Sequence, residues 1–275
     1  MDGRWRQPSF GAQSPKVSVV TICYNEADNI SKTLESVARQ TYVNIEHVIK
    51  DGGSADGTVD IVRQYAKKHP NAVVEISKDG GLYNAMNIGL SKCTGDYVIF
   101  LNAGDRFVTD DVIGNLVLRA EVEELPDLVY GDCASEVNGE LMVRSAHGPS
   151  FMKIGMPASH EAMLYKRSLI KEHNLIYDTS YRIAADYKFT YQFVNAAKKF
   201  AYLPSPVVIF SEGGVSTSNK LQGMMEANRA RKEVGGLPFL SRMTIILMQS
   251  GALFLSTFVG PLYRYFRLQK IRIAQ

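Results

Sequence analysis

Apolar residues alternate between two spacings along the first 110 positions. Val17 to Cys23, VSVVTIC, is a β-branched run of strand length. Behind it Ile30, Leu34 and Val37 recur at helical spacing within residues 28–40, which predicts a helix with one buried face. The cycle repeats with IEHVI at 45–49, a polar loop DGGSADGT, and a helix over Val59 to Lys68 that carries Val59, Val62 and Ala66 on one side. It repeats again with the strand AVVEIS, a short helix from Gly81 to Ser91, and DYVIFL, Asp96 to Leu101, an almost wholly apolar strand. Strands that alternate with helices pair in parallel, and near-continuous apolar strands need cover on both faces. Residues 16–125 are therefore expected to form an open, twisted, mostly parallel α/β sheet flanked by helices.

Beyond Leu125 the alternation loosens. DLVYGD reads as the end of a strand, and Val137-Asn138-Gly139-Glu140 carries a hairpin signal. Gly and Pro punctuate Ala146 to Ala158, which reads as a mobile loop. Helical spacing returns over Met163–Glu172 and Ala185–Ala197, and PVVIF, Pro206 to Phe210, is strand-like. Residues 126–220 are read as the acceptor and catalytic half of the same domain, and 221–275 as a helical extension. In that extension Met243 to Tyr263 is uncharged and apolar-rich, followed by Arg264, Arg267, Lys270 and Arg272. Such a segment can span a bilayer, lie on anionic headgroups, or pack on the protein; membrane contact is the favoured reading. Residues 1–15 have no apolar stretch of signal-peptide type and read as a flexible leader.

Composition narrows the class. Of 275 residues, 45% are hydrophobic and 21% charged, the balance of a folded soluble protein. A net charge of +3, with both signs interspersed, gives no basic stripe for nucleic acid. Cys23, Cys93 and Cys133 are odd in number and widely separated, which offers neither a disulfide framework nor zinc spacing; they read as reduced thiols of a cytoplasmic protein.

In an open parallel sheet, ligands bind outside the carboxyl ends of the strands. Four polar clusters fall there: Tyr24-Asn25-Glu26, Asp51 to Thr58, Lys78-Asp79-Gly80-Gly81, and Asn102-Ala103-Gly104-Asp105. The runs PKVSVVTICYNEADNISKTLESVARQTY, DGGSADGT and DGGLYNAMNIGLSKCTGDYVIFLNAGD, in that order, resemble family 2 glycosyltransferases of the GT-A fold, especially those of bacterial surface-polysaccharide (colanic acid and exopolysaccharide) synthesis. The resemblance is strong over 16–110 and looser to about residue 215.

That resemblance implies an inverting transfer of a sugar from a nucleotide-diphosphate donor to a hydroxyl of a lipid-linked saccharide, at the inner face of the cell membrane. It assigns Tyr24, Glu26, Asp51, Asp79 and Asn87 to the donor nucleotide. Asp105, with Asn102 beside it, is assigned to a Mg²⁺ or Mn²⁺ ion, Asp186 to the general base, and His160 with Glu161 to the acceptor side. Gly213-Gly214-Val215-Ser216 is a candidate loop over the donor phosphates. Two departures stand out: the usual carboxylate-rich DxD-like segment reads Asn102-Ala103-Gly104-Asp105, and the usual acidic pair before the catalytic helix reads Ala185-Asp186.

Each residue also has a plainer reading. Asp51 and Asp105 can be turn carboxylates, Glu26 and Asp186 helix-start acids, Asn87 a buried amide and His160 a structural imidazole. A silent sugar-nucleotide-binding relative is the alternative that the missing loop carboxylates favour. A nucleotidyltransferase would want a Gly-rich basic triphosphate loop near the start, where YNEADN is acidic, and a dinucleotide oxidoreductase would want GxGxxG after the first strand, which is absent.

Overall fold

The computed structural model describes residues 14–137, 140–211, 219–258 and 269–270. Nearly all of the 1–15 leader, the Gly213–Ser216 loop, and Arg264, Arg267 and Arg272 of the tail lie outside the described residues. The first half follows the expected order: β1 Val17–Cys23, α1 Ile30–Ala38, β2 Ile45–Asp51, α2 Thr58–Lys68, β3 Ala72–Ile76, α3 Leu82–Lys92 and β4 Tyr97–Phe100. Then come β5 Arg106–Phe107, α4 Val112–Val122, β6 Leu128–Val137, β7 Glu140–Arg144, β8 Met163–Lys166, α5 Arg167–Glu172 and α6 Ala185–Ala196. β9 Phe200–Phe210, α7 Lys220–Glu233, α8 Phe239–Phe258 and β10 Gln269–Lys270 complete the series.

All these strands join one mixed sheet with the path β10-β7-β6-β8-β4-β1-β2-β3, on which β9 pairs with β6 and β5 with β9. β3, β2, β1 and β4 are mutually parallel. Their register is level at the carboxyl end: Cys23 sits opposite Asp51, and Asp51 opposite Ile76. The loops after β1, β2 and β3 therefore leave the sheet side by side. β8 enters antiparallel against β4, with Val98 opposite Tyr165, and joins the parallel half to β6 and β7.

Period-two alternation sends side chains of one strand to two cores. Val20, Ile22, Val98 and Phe100 face an aromatic cluster with Tyr165, Tyr177 and Phe189. Val17, Val19, Tyr97 and Ile99 face the opposite cluster, against Ile113, Leu116 and Val117 of α4. Both faces are covered, as the apolar strands require. Burial of each such side chain contributes about 1.5–3 kcal/mol before chain entropy is counted.

Three local readings change. Met163–Glu172 is not one helix: Met163 to Tyr165 lie in the sheet between β4 and β6, buried on both sides, and the helix starts at Arg167. A short apolar run fits either period, and here pairing decided it. The two-residue β5 was too short to leave a pattern. The 146–158 segment contains a 3-10 turn, Pro149–Lys153, held by Arg231 on the carbonyls of Lys153 (3.0 Å) and Ile154 (2.6 Å). The hairpin signal does join paired strands, with Val137 opposite Glu140.

In the extension, α7 packs against α8, and Gln249 of α8 donates to the Ile154 carbonyl at 2.9 Å. Phe239, Leu240, Leu247 and Met248 of α8 remain exposed. No helix among the described residues is long and apolar enough to cross a membrane; residues 259–263 of the segment read from sequence lie outside the described residues.

Candidate active site

The first three loops are stitched to one another before any ligand is considered. Asn25, at φ 53°, donates its N–H to Ser54 Oγ (2.8 Å) and accepts from Ala55 N–H through Oδ1 (3.0 Å). Asp56 accepts from Ala27 N–H (3.0 Å), Thr58 N–H (3.1 Å) and Thr58 Oγ1 (2.6 Å), so it opens α2 and binds the neighbouring loop. The Glu26 carbonyl accepts Ile30 N–H (2.8 Å) at the start of α1, and its carboxylate accepts from the Asn29 amide (3.1 Å).

Asp51 is wholly buried. Its Oδ1 accepts from Gly53 N–H (2.8 Å) and Ser54 N–H (2.9 Å), and its Oδ2 from Ser54 Oγ (2.6 Å). Tyr24 stands above it at 63% exposure, and a Cβ on Gly52 would come within 3.1 Å of both the Tyr24 ring and Asp79. Those three residues thus converge on one spot. Asp79 Oδ1 accepts Gly81 N–H (2.9 Å) at the start of α3. Asn87 is elsewhere: its amide donates to the Tyr177 carbonyl and accepts Tyr177 N–H, both at 2.8 Å, which ties α3 to the segment before α6.

Sequence reading missed Lys50. Its Nζ, fully buried, donates to the carbonyls of Asp51 (2.6 Å) and Ser77 (2.6 Å) and to Asp79 Oδ2 (2.9 Å). A buried cation is tolerable because every one of its protons is used. The signal was available: a lone lysine at the end of IEHVIKD, where the strand is otherwise buried.

The fourth loop meets the second half of the chain. Thr33 of α1 donates through Oγ1 to the Asp105 carbonyl (2.7 Å) and accepts from Gly104 N–H (2.9 Å), which fixes the turn. Asp105, buried, accepts Ser211 N–H at 2.8 Å. Asn102 donates its amide to Glu161 Oε1 (2.5 Å), on a 3-10 turn His160–Ala162 that leads into β8. His160 Nε2 lies 3.9 Å from Glu161 Oε1, and its Nδ1 lies 3.4 Å from Asp186 Oδ2. Four of the residues singled out from sequence, Asn102, Asp105, His160 and Glu161, therefore share one cluster, with Asp186 at its edge.

Electrostatics set this cluster apart. Burial pushes the Glu161 carboxyl up to about 8, with Asp105 adding to the rise against the pull of His160. Burial also raises Asp105, against hydrogen bonds from Glu161 and Ser211. The two carboxyls act on one another, Asp105 raising Glu161 and Glu161 holding Asp105 down. Burial opposes charge on His160, but Glu161, Asp186 and Asp105 outweigh it and raise the imidazole to about 9.

Asp186 occupies the first turn of α6 with its side chain 25% exposed. Its Oδ1 accepts Tyr187 N–H (2.8 Å), a donor of the first turn. The backbone entering α6 is held by Glu226 of α7, whose carboxylate accepts N–H bonds from Ile183 (2.8 Å), Ala184 (2.9 Å) and Arg182 (3.1 Å). Burial works against the charge of Glu226, and those bonds hold it below its ordinary range. Nothing in the local sequence of α7 marks Glu226 out among its other charges.

The family model for glycosyl transferase family 2 matches residues 18–172, more than half of the chain. This chain belongs to glycosyl transferase family 2. A PGL/p-HBAD biosynthesis glycosyltransferase of Mycobacterium bovis is 31% identical over 218 residues, which cover 74% of this chain and 80% of the relative. An uncharacterized glycosyltransferase of Mycobacterium tuberculosis is 33% identical over 184 residues, covering 64% and 68%. Among solved structures, S. aureus TarS 1–349 in complex with UDP superposes with a TM-score of 0.64 at 20% identity, over 84% of this chain and 69% of that one. The mannosyltransferase PcManGT from Pyrobaculum calidifontis, in complex with GDP-Man and Mn²⁺, gives 0.62 at 18%, over 93% and 84%. The GT-A-like fold and the glycosyltransferase class follow.

The transferase's fourth loop can be tested for a cation. No group of three or more His, Cys, Asp or Glu among the described residues is arranged to hold a metal. Gly104, where a DxD-like loop would present an acid, sits at φ 95°, and a Cβ there would meet Ser211 Oγ at 2.9 Å. Yet Asn102 Oδ1 is buried without a hydrogen-bond partner, a neutral oxygen of the kind hard cations accept. Asn102 Oδ1 and the Asp105 carboxylate are the oxygen donors this loop offers, a set that fits a cation only if substrate oxygens supply the rest.

Proposed function

We propose that this glycosyltransferase moves a sugar, with inversion, from a nucleoside-diphosphate donor to a hydroxyl of a lipid-linked saccharide during cell-surface polysaccharide synthesis. The observation that carries the reading is the meeting of the two halves: level loops after β1 to β3 on one side, and a part-exposed Asp186 joined through His160 and Glu161 to the fourth loop. Solved neighbours that hold UDP, UDP-GlcNAc or GDP-Man support a nucleotide-sugar donor.

In this reading Tyr24 packs on the nucleobase and Glu26 borders the nucleoside. Asp51 acts through the loop it holds, and Asn87 through α3, which it fixes. Asp79 and the start of α3 serve the phosphates, where free N–H groups and the helix dipole favour an anion. Asn102 and Asp105 would hold Mg²⁺ or Mn²⁺, which offsets charge on the departing diphosphate. Asp186 takes the acceptor proton as that oxygen bonds to the anomeric carbon and the diphosphate leaves from the opposite face. His160 and Glu161 line the acceptor side. The exposed apolar residues of α8 support peripheral contact with the inner membrane face, close to a lipid-linked acceptor.

The test is a panel of UDP-, GDP-, CDP- and dTDP-sugars, read by thermal stabilisation and then by transfer to lipid-linked oligosaccharide, with and without chelator. One donor should stabilise the fold by about 2.7 kcal/mol at a hundred times its Kd. Transfer should stop in EDTA and return with Mn²⁺ or Mg²⁺. Stabilisation without transfer under any condition would favour the silent relative, a reading that Gly104 keeps in play.

A further inference from the structure

We propose that His160 is a positioning residue for Asp186, clamping its carboxylate and joining it to the fourth loop as one unit. This rests on Asp186 being the base. The chain of contacts begins at Asn102, whose amide donates to Glu161 Oε1 at 2.5 Å; Glu161 faces His160 Nε2 at 3.9 Å; His160 Nδ1 faces Asp186 Oδ2 at 3.4 Å. Three separate segments, the β4–β5 loop, the turn before β8 and the start of α6, are thereby linked through one imidazole.

The ring has little room to turn away. It is only 12% exposed and lies tilted against Phe100, with ring centroids 6.4 Å apart. On Asp186, Oδ1 is directed to Tyr187 N–H, so His160 is what fixes the other oxygen and with it the plane of the carboxylate. A base must hold its lone pair on the acceptor hydroxyl within a narrow range, and a group that locks the rotamer of the base serves that end.

A purely structural imidazole fits these contacts poorly. His160 Nε2 is buried without a hydrogen-bond partner, whereas buried polar atoms that only hold a fold are nearly always paired. The charged groups that face the ring are Glu161 from its own turn, Asp186 from α6 and Asp105 from the β4–β5 loop. With those acids around it, the imidazole sets its Nδ1 3.4 Å from the carboxylate that serves as base and holds that oxygen in place. During transfer the acceptor proton goes to Asp186, the acceptor oxygen bonds to the anomeric carbon, and the bond to the diphosphate oxygen breaks. His160 neither gains nor loses a proton.

The experiment measures kcat, and KM for donor and acceptor, across pH for the full chain and for His160→Ala, His160→Gln and Asp186→Asn. His160→Ala should lower kcat roughly ten- to a hundredfold, the scale seen when an orienting partner is removed, with donor KM within about twofold. His160→Gln, which keeps an N–H donor at a similar reach, should recover part of kcat. An unchanged kcat in His160→Ala, or a lower melting temperature with unaltered kcat per folded molecule, would overturn the proposal. Should His160→Ala not fold, a His160→Gln variant whose loss lies in donor KM and not in kcat overturns it equally. Full activity in Asp186→Asn would instead remove the base assignment, whatever the His160 variants do.

Discussion

Asp51 and Glu161 are both buried carboxyls at the same edge of the sheet, yet they are provided for differently. Asp51 accepts bonds from two loop N–H groups and a serine hydroxyl, all within 2.9 Å. Glu161 accepts the Asn102 amide and, at 3.3 Å, the Ser159 hydroxyl, and it lies beside a second buried acid, Asp105, and an imidazole 3.9 Å away. The contrast extends to their surroundings. On the β3-β2-β1 side, Lys50, Asp56 and Asn25 have their bonding capacity spent on neighbouring loops. Around the fourth loop, Asn102 Oδ1 and His160 Nε2 are buried and unpaired. A donor platform built in advance therefore adjoins a cluster whose polar demands are still open. Open demands in a cleft are where substrate and cation can gain most.

The strongest way to break this comparison is at its edge. Asp186→Asn should lower kcat roughly 10²–10⁴-fold, the usual contribution of a general base, while nucleotide affinity measured by calorimetry stays within about twofold. If affinity fell instead, the two regions would not be separable. Next is the platform itself. Lys50→Met leaves Asp79 without its buried partner and frees two carbonyls, and should destabilise the fold by about 3–5 kcal/mol in urea titrations.

A smaller effect tests whether the fourth loop is closed to an added acid. Gly104→Asp restores the family's usual residue type, yet it should destabilise by roughly 2–4 kcal/mol, since it combines a strained φ with a contact on Ser211. A thermal midpoint equal to wild type would show that the loop adapts. The smallest effect lies far from the cleft. Glu46 is held at about 2; burial works against its charge, but bonds from Lys16, Ser18 and Thr94 prevail. A depressed carboxyl adds stability above its unfolded value near 4.5 that is lost as pH falls through 2. Glu46→Gln should flatten that acid dependence by on the order of 1–2 kcal/mol, read from urea midpoints between about pH 5 and 2.

Much of the platform was legible because its signals are local. β-branched runs, helical spacing and glycine-rich loops each lie within a dozen residues, and their order foretold four loops on one edge. The roles given to Asn102, Asp105, His160, Glu161 and Asp186 came from the family resemblance rather than from any local pattern, and that they lie near one another emerges only in the fold. What stayed hidden depends on partners distant in the chain. Lys50 acquires its meaning only when β2 and β3 pair, and Thr33 only when α1 lies under the fourth loop. Glu226 holds the backbone leading into α6 from more than forty positions away, which no window of sequence reveals. Asn87 looked like a ligand because its neighbours belong to a donor motif; its amide is consumed by Tyr177, 90 residues later. β8 was read as helix because MLYK suits either period until β4 and β6 flank it.

The turn at Gly104 also separates what mutation can supply from what the fold can accept. Glycine and aspartate codons can differ by a single base, so an acid at this position is within easy mutational reach. The backbone, however, holds a conformation that disfavours any side chain, and Ser211 Oγ stands 2.9 Å from where a Cβ would sit. An acid placed here would need the strain to be tolerated or a smaller residue at 211. One base change thus brings the carboxylate, while a second position decides whether the loop can house it.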